Sequence, residues 1–408
     1  MQGKVDSRAM REVNRSIVLD MIRRGGRISR TDLARRSHLT KPTVSAIVED
    51  LIAGGVVQEV GFGKAVASGG RRARLLQFNE GSAAYLGVRV GVHVTSVAIA
   101  DARGEIRVTR DLPTPQASPA DRLQNAVSIV DEAFEAAEIP RDRLQAVGVT
   151  VPGLVDTSTG VCVLAPNLNW QNVPVRDLIR EALDVPVVVQ NVTNAGAIAE
   201  GQIGAARGYR SYVWVYVGSG LGAGIVLDGR PFYGRQGFSG EIGHCQVVES
   251  GIQCGCGAFG CLETVASGRA LERQARELIE GGRKSTLGGL DHPIAVTDMV
   301  RAAHDGDELA ISLFESAGAY LGKGLAYLQN ILNPEIVVLG GGVVEAGDLL
   351  LKPAQRAAQE HALKAERVPI VPSALKDRSA IVGAVLSAMD HSMQSYRIVA
   401  TNSPIVSG

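Results

Sequence analysis

One short stretch, His244 to Cys261, sets the strongest constraint on how this chain can fold. It reads HCQVVESGIQCGCGAFGC and places one imidazole ten residues ahead of a Cys254-x-Cys256 pair, with Cys261 five residues further on. One His and three Cys, His244, Cys254, Cys256 and Cys261, make a closed tetrahedral set of the kind that holds a structural zinc ion. A loop that wraps tightly round an ion needs backbone freedom, which the glycines at 251, 255, 257 and 260 supply. Four of the five cysteines fall in this neighbourhood. That usage fits a reducing cytoplasm better than a disulfide framework. Cys245, beside His244, is left outside the set.

A chain of 408 residues exceeds one ordinary core, so two or three domains are expected. No apolar run approaches the roughly 20 residues that span a bilayer, and the charged N-terminus lacks a signal-peptide core. The expected location is therefore cytoplasmic, with no membrane partner. The formal net charge is zero but unevenly spread: residues 1–80 carry 15 Lys and Arg against 8 Asp and Glu, a net +7, which leaves −7 on the rest. A basic head on an acidic body points to a nucleic-acid-binding domain joined to something else.

Within that head, Val13, Ile17, Val18, Met21 and Ile22 recur at helical spacing over 8–24, and Gly25-Gly26 ends the helix. A second short helix is expected from Ser29 or Arg30 to Ser37. Thr40 then caps a third, with Pro42 in its first turn and Val44, Ile47, Val48 and Leu51 as its apolar stripe. Residues 56–60 and 74–78 read as a β-ribbon, with a glycine-rich basic tip at Gly61–Lys64 and Gly69-Gly70-Arg71-Arg72. Three helices and a ribbon describe a winged helix-turn-helix that binds double-stranded DNA. The second helix of that motif reads base edges from the major groove, which nominates Lys41, Thr43 and Ser45. Arg71 and Arg72 would reach phosphates or a narrow minor groove.

From Ala84 onward short apolar strands alternate with helices, the texture of layered α/β folds. Strands are expected at 85–90, 95–100, 144–150, 185–190, 211–217, 224–227 and 336–339. Three glycine-rich turns follow strands: Val151–Asp156, Val217–Gly224 and Gly340–Gly342. The second could cradle a phosphate with backbone N–H groups.

Together these features resemble the ROK (repressor, open reading frame, kinase) family, over nearly the whole chain from about Arg8 to Met389. The resemblance rests on the GGRR arm, the PGLVD turn, APNLNW at 165–170, GEIGH at 240–244, the CxCGxxGCxE run at 254–263 and ILNPEIVVLGGG at 331–342. It implies a winged helix-turn-helix at 1–80 and a two-lobed, actin-like α/β body. The N-lobe would span 81–190, completed by a C-terminal helix at about 376–390. The C-lobe would span 191–375, with the zinc loop at 244–261, and 391–408 would form a poorly ordered tail. It also implies a carbohydrate ligand held by Asn167, Asn191, Glu241, His244 and Glu263. His244 would ligate zinc through one ring nitrogen and offer the other towards the sugar.

The chain departs from the family's kinases at two places. Their NDxN motif carries the aspartate that accepts the proton of the attacking hydroxyl, whereas this sequence reads Asn191-Val192-Thr193-Asn194. Their D-x-G-x-T pattern supplies an acidic group to the metal–nucleotide, whereas this chain has Arg89-Val90-Gly91-Val92-His93. Phosphoryl transfer depends on positioning and on charge neutralisation around magnesium and ATP, so the two losses together should abolish it. The expected function is a sugar-responsive repressor, not an enzyme, acting as a homodimer or tetramer on an operator. A sugar kinase using another carboxylate as base, and a regulator answering to a protein partner, are the alternative readings.

Overall fold

The computed structural model describes residues 7–63, 72–363 and 367–401. Helix α1 (Ser7–Gly25) leads through β1 (Ile28–Ser29) into α2 (Arg30–Ser37) and α3 (Lys41–Ala53). The ribbon β2 (Val57–Phe62) and β3 (Arg74–Phe78) follows, with β3 between β1 and β2 in an antiparallel sheet. Both short helices start the same way. The Ser29 and Thr40 hydroxyls accept hydrogen bonds from the N–H groups of Asp32 and Thr43, satisfying donors that a helix start leaves open. Val18, Ile22, Leu33, Val44, Val48, Leu51 and Leu76 form the fully buried centre of the head.

Two expectations for the head change. Val13 and Ile17 are 54% and 39% exposed, because the buried positions of α1 fall in its C-terminal half and its first turns run past the small core. The head is also not closed at residue 80: Ala102, from the body, joins its core. Glu80 pairs with Arg103 and with Arg107 at 3.1 and 2.8 Å, and Arg107 pairs at 2.6 Å with the buried Asp101. The Arg103 guanidinium also lies over the Phe78 ring. Of the basic tip, Lys64, Gly69, Gly70 and Arg71 lie outside the described residues; Arg72 is described and exposed.

The body repeats one sheet plan in two lobes. In the first, β4 (Ala84–Val90), β5 (Val94–Asp101) and β6 (Ile106–Pro113) form an antiparallel meander, followed by α4 (Pro119–Val127) and α5 (Val130–Ala137). β7 (Leu144–Val151) then pairs in parallel with β4. A small antiparallel sheet of β8 (Leu154–Asp156), β9 (Val161–Ala165) and β10 (Trp170–Val173) leads through α6 (Val175–Leu183) to β11 (Val187–Asn191), parallel to β7. The order is β11-β7-β4-β5-β6.

After α7 (Val192–Ile203), the second lobe repeats the meander with β12 (Tyr212–Val217), β13 (Leu221–Leu227) and β14 (Arg230–Pro231). Helices α8 (Glu263–Ala266), α9 (Gly268–Glu280), α10 (Val296–His304) and α11 (Glu308–Leu332) precede β15 (Ile336–Gly340), which is parallel to β12. Finally α12 (Asp348–His361) leads to β16 (Ile370–Pro372), parallel to β15, giving the order β14-β13-β12-β15-β16. Each lobe has its own core, centred on Phe134, Val147 and Trp170 in the first and on Phe314, Leu321 and Val337 in the second.

The last helix, α13 (Ser379–Thr401), packs back on the first lobe, with Val385 and Ile381 against Gly87. It is longer than expected. Residues 391–401 continue the helix instead of forming a loose tail, because no Gly or Pro interrupts them; residues 402–408 lie outside the described residues. A Cβ on Gly148 would stand 1.9 Å from the carbonyl oxygen of Ala384, so the helix and β7 touch backbone to backbone. Gly148→Val is therefore expected to destabilise the first lobe by about 3 kcal/mol, near the top of the usual range for overpacking, read by thermal unfolding. Unchanged stability would mean that the helix does not dock here. No helix among the described residues is long and apolar enough to cross a membrane.

Candidate functional site

Between the two lobes lies a cleft of about 830 Å³. The turn between β4 and β5, the loop after β7, the start of α7, the β12–β13 turn and the 241–263 loop all supply its walls. Asn167, Asn191, Glu241, His244 and Glu263, which lie far apart in sequence, all line it.

Each is held in a distinct way. Glu263 opens α8 and accepts a hydrogen bond from the Leu221 N–H at 2.9 Å, fastening the end of the cysteine loop to the β12–β13 turn. That turn is shorter than the glycine spacing suggests. Val217 pairs with Leu221, so only Gly218-Ser219-Gly220 turn, and residues 221–224 are strand. Gly224 serves packing instead: a Cβ there would stand 2.1 Å from the Thr193 carbonyl oxygen of α7.

Asn191 is the N-cap of α7. Its Oδ1 accepts from the Thr193 N–H and hydroxyl, both at 2.6 Å, while its Nδ2 donates to the Gly153 carbonyl. Much of its hydrogen-bonding capacity is thus spent on holding the Pro152-Gly153 turn against the helix. Val192 follows it at the cleft wall. Asn167 is bonded through Oδ1 to the Arg269 guanidinium. Arg269, Arg89, Tyr216 and Thr193 also line the cleft and were not singled out as ligand contacts from sequence. Arg269 lies 102 residues from its partner, and no spacing rule connects the two.

His244, Cys254, Cys256 and Cys261 bring their ligand atoms within 4.8 Å of one another, an arrangement that can hold a metal ion. His244 Nδ1 lies 3.6 Å from Cys254 Sγ, and Cys256 Sγ lies 3.7 Å from Cys261 Sγ. The other ring nitrogen, Nε2, faces Glu241 at 3.8 Å, between the cluster and the cleft. Burial pushes the Glu241 carboxyl up, with the nearby Glu263 adding to the effect and His244 opposing it. Burial and the neighbouring thiols push Cys261 up to about 12. A cluster of thiolates held this tightly calls for a cation as counter-charge. Cys245 stands outside it.

In the head, Lys41 is exposed at the start of α3, while Thr43 and Ser45 are half-buried. The Thr43 hydroxyl lies 2.8 Å from that of Thr40 and so takes part in the cap. Farther along α3, Asp50 is paired with Arg11 at 2.8 Å. The surface that would face a phosphate backbone is therefore the helix start, not its acidic end.

Residues 15–58 match the winged helix-turn-helix DNA-binding family and residues 85–391 match the ROK family. The chain is 31% identical to the xylose repressor of Caldicellulosiruptor bescii, over 92% of this chain and 95% of that protein. It is 32% identical to the DNA-binding transcriptional dual regulator NagC of Escherichia coli, over 93% and 92%. A crystal structure of a ROK family transcriptional regulator, described as a homologue of the E. coli MLC protein, superposes with a TM-score of 0.79 at 31% identity, over 96% of this chain and 99% of that one. A ROK family glucokinase from Streptomyces griseus, in complex with glucose and AMPPNP, superposes with a TM-score of 0.67 at 30% identity, over 75% of this chain and 99% of the glucokinase. With a winged helix-turn-helix at one end and this two-lobed body matched over residues 85–391, the chain belongs to the ROK family.

Proposed function

We propose that this protein is a sugar-responsive DNA-binding repressor, with a catalytically inactive sugar-kinase body as its sensor. The observation that carries the reading is Val192. It stands at the cleft wall in the position where the kinases of the family keep their base, and a valine accepts no proton. Its relatives that span the whole chain, head included, are named repressors and regulators. The DNA would be read by α3, with Lys41, Thr43 and Ser45 at the groove and Arg71 and Arg72 on the wing. The sugar would meet Asn167, Asn191, Glu241, His244 and Glu263.

The resident metal in this reading is a structural zinc ion. Zn–S bonds of about 2.3 Å and Zn–N bonds of about 2.0–2.1 Å place tetrahedral neighbours about 3.8 Å apart for two sulfurs and about 3.6 Å for nitrogen and sulfur. The measured 3.7 and 3.6 Å fit that set. Zinc would be held by His244 Nδ1 and the three thiolates, leaving Nε2 on the Glu241 side. Its contribution is to fix the loop that carries Glu241 and Glu263.

A homodimer or tetramer in the cytoplasm, with paired heads on a near-palindromic operator, completes the proposal. The sugar must prefer one arrangement of the heads, since equal affinity for both would shift nothing. A gel shift on the DNA upstream of its own and neighbouring genes, with a panel of sugars, is expected to give a specific complex that one sugar releases. A parallel ATP-coupled assay across hexoses and pentoses is expected to show no turnover. Sustained turnover would restore the kinase reading, and specific DNA binding indifferent to every sugar would point to a protein partner.

A further inference from the structure

The cleft is divided by charge. At one end of the Gly218–Gly220 turn stand Glu263, Asn167 and Arg269: a Cβ on Gly220 would meet Glu263 Oε2 at 2.8 Å and Asn167 Nδ2 at 3.5 Å. At the other end stands Tyr216, whose hydroxyl oxygen would lie 2.2 Å from a Cβ on Gly218. This second end carries Arg89, whose positive charge acts on the Tyr216 hydroxyl, and Gly342 and Val343 complete the wall beyond.

Arg89 is half-buried at the end of β4, and its guanidinium donates to the Ser96 hydroxyl at 3.1 and 3.4 Å. Among the described residues it has no carboxylate within ion-pair distance. A guanidinium has five donors in a planar fork, so one hydroxyl leaves most of them for whatever fills the cleft. His93, in the same turn region, adds a second titratable nitrogen to this wall. Where a kinase keeps an acidic group to hold a metal ion against phosphate, this chain presents the positive charge itself.

We propose that the effector is an anionic sugar, specifically a sugar phosphate. Its hydroxyls face Asn167, Glu241 and Glu263, and its phosphate pairs with Arg89 without a divalent cation. The inference rests on the sensor reading above and adds the chemical class of the ligand. At about 830 Å³ the cleft falls in the range that accommodates small ligands of this size.

The test is calorimetric titration of the full-length protein, zinc-loaded and in magnesium-free buffer, with matched sets. These are glucose, glucose 6-phosphate and glucuronic acid, then xylose and N-acetylglucosamine with their phosphates. Each active ligand is also run in the operator gel shift. For one set, the phosphate ester is expected to bind at least about tenfold more tightly than its parent sugar, the scale of a charge-assisted hydrogen bond in a partly dry site. Inorganic phosphate should compete with it. Arg89→Ala should bring the ester down to the affinity of the parent sugar, while Arg89→Lys restores part of the difference and shows that the fold is intact. An ester no tighter than its parent, an advantage that survives Arg89→Ala, a requirement for magnesium, or a uronic acid that outbinds the phosphate would each overturn the inference and leave the sensor reading standing. No binding by any member of any set would overturn both.

Discussion

Replacing Cys261 with alanine is expected to reduce bound zinc from about one ion per chain to background and to abolish the effector response. Cys261 is fully buried, and its sulfur lies against both Cys256 Sγ and the His244 carbonyl. Alanine therefore removes a ligand from the closed side of the cluster, where solvent cannot replace it. Structural zinc contributes on the order of 10 kcal/mol or more to the folding of a loop it closes, so a three-ligand remnant is not a mild lesion. The cysteine loop joins Glu241 to Glu263, and both should lose their places in the cleft. The head has its own core around Leu33 and Leu51, so operator binding should persist while induction is lost. Metal analysis beside a gel shift reads both effects. Zinc retained at one per chain in the variant would contradict the metal assignment.

Glu263→Ala is expected to weaken the effector roughly 10- to 100-fold, the scale of losing a hydrogen bond to a charged group in a partly buried site. Two losses combine. The Leu221 N–H loses its acceptor, and the cleft loses a carboxylate that can hold two hydroxyls. Glu263→Gln separates them, since an amide oxygen can still take the Leu221 bond but carries no charge. An intermediate affinity for Gln assigns part of the effect to charge. Equal losses for Ala and Gln would assign it all to charge, and wild-type affinity in both would remove Glu263 from the ligand site. Titration calorimetry measures the difference directly.

Much of the architecture was readable because local chemistry and global fold agree. Thr40, Pro42 and the Val44–Leu51 stripe mark one helix by cap, first turn and buried face, and that helix forms as expected. The His244–Cys261 spacing was legible because one short loop contains every donor of the cluster. What failed to show in the sequence depends on neighbours that only the fold supplies. The periodicity of α1 counted Val13 and Ile17 as buried, yet periodicity gives the direction of a face and not the extent of the core beneath it. Gly222 and Gly224 looked like part of a phosphate turn, whereas they sit in a strand where α7 comes too close for a side chain at Gly224. Asn191 has the composition of a ligand contact but spends much of its capacity capping a helix. The Arg269–Asn167 contact joins the two lobes and leaves no local trace at all.

The anchoring of the head bears on how a signal could travel. β4 and β5 form one hairpin whose turn at Gly91–His93 lines the cleft, while its opposite end meets Glu80 and the Ala102–Arg103 corner on which the head rests. A strand rises about 3.3 Å per residue, so the seven residues of β4 make a bar about 23 Å long. A bar of that length tilted by about 5° carries its far end about 2 Å, more than the distance over which a hydrogen bond to a base edge survives. The hairpin thus gears a small rocking at the effector to a loss of register on the operator, with no need for the head to unfold or detach.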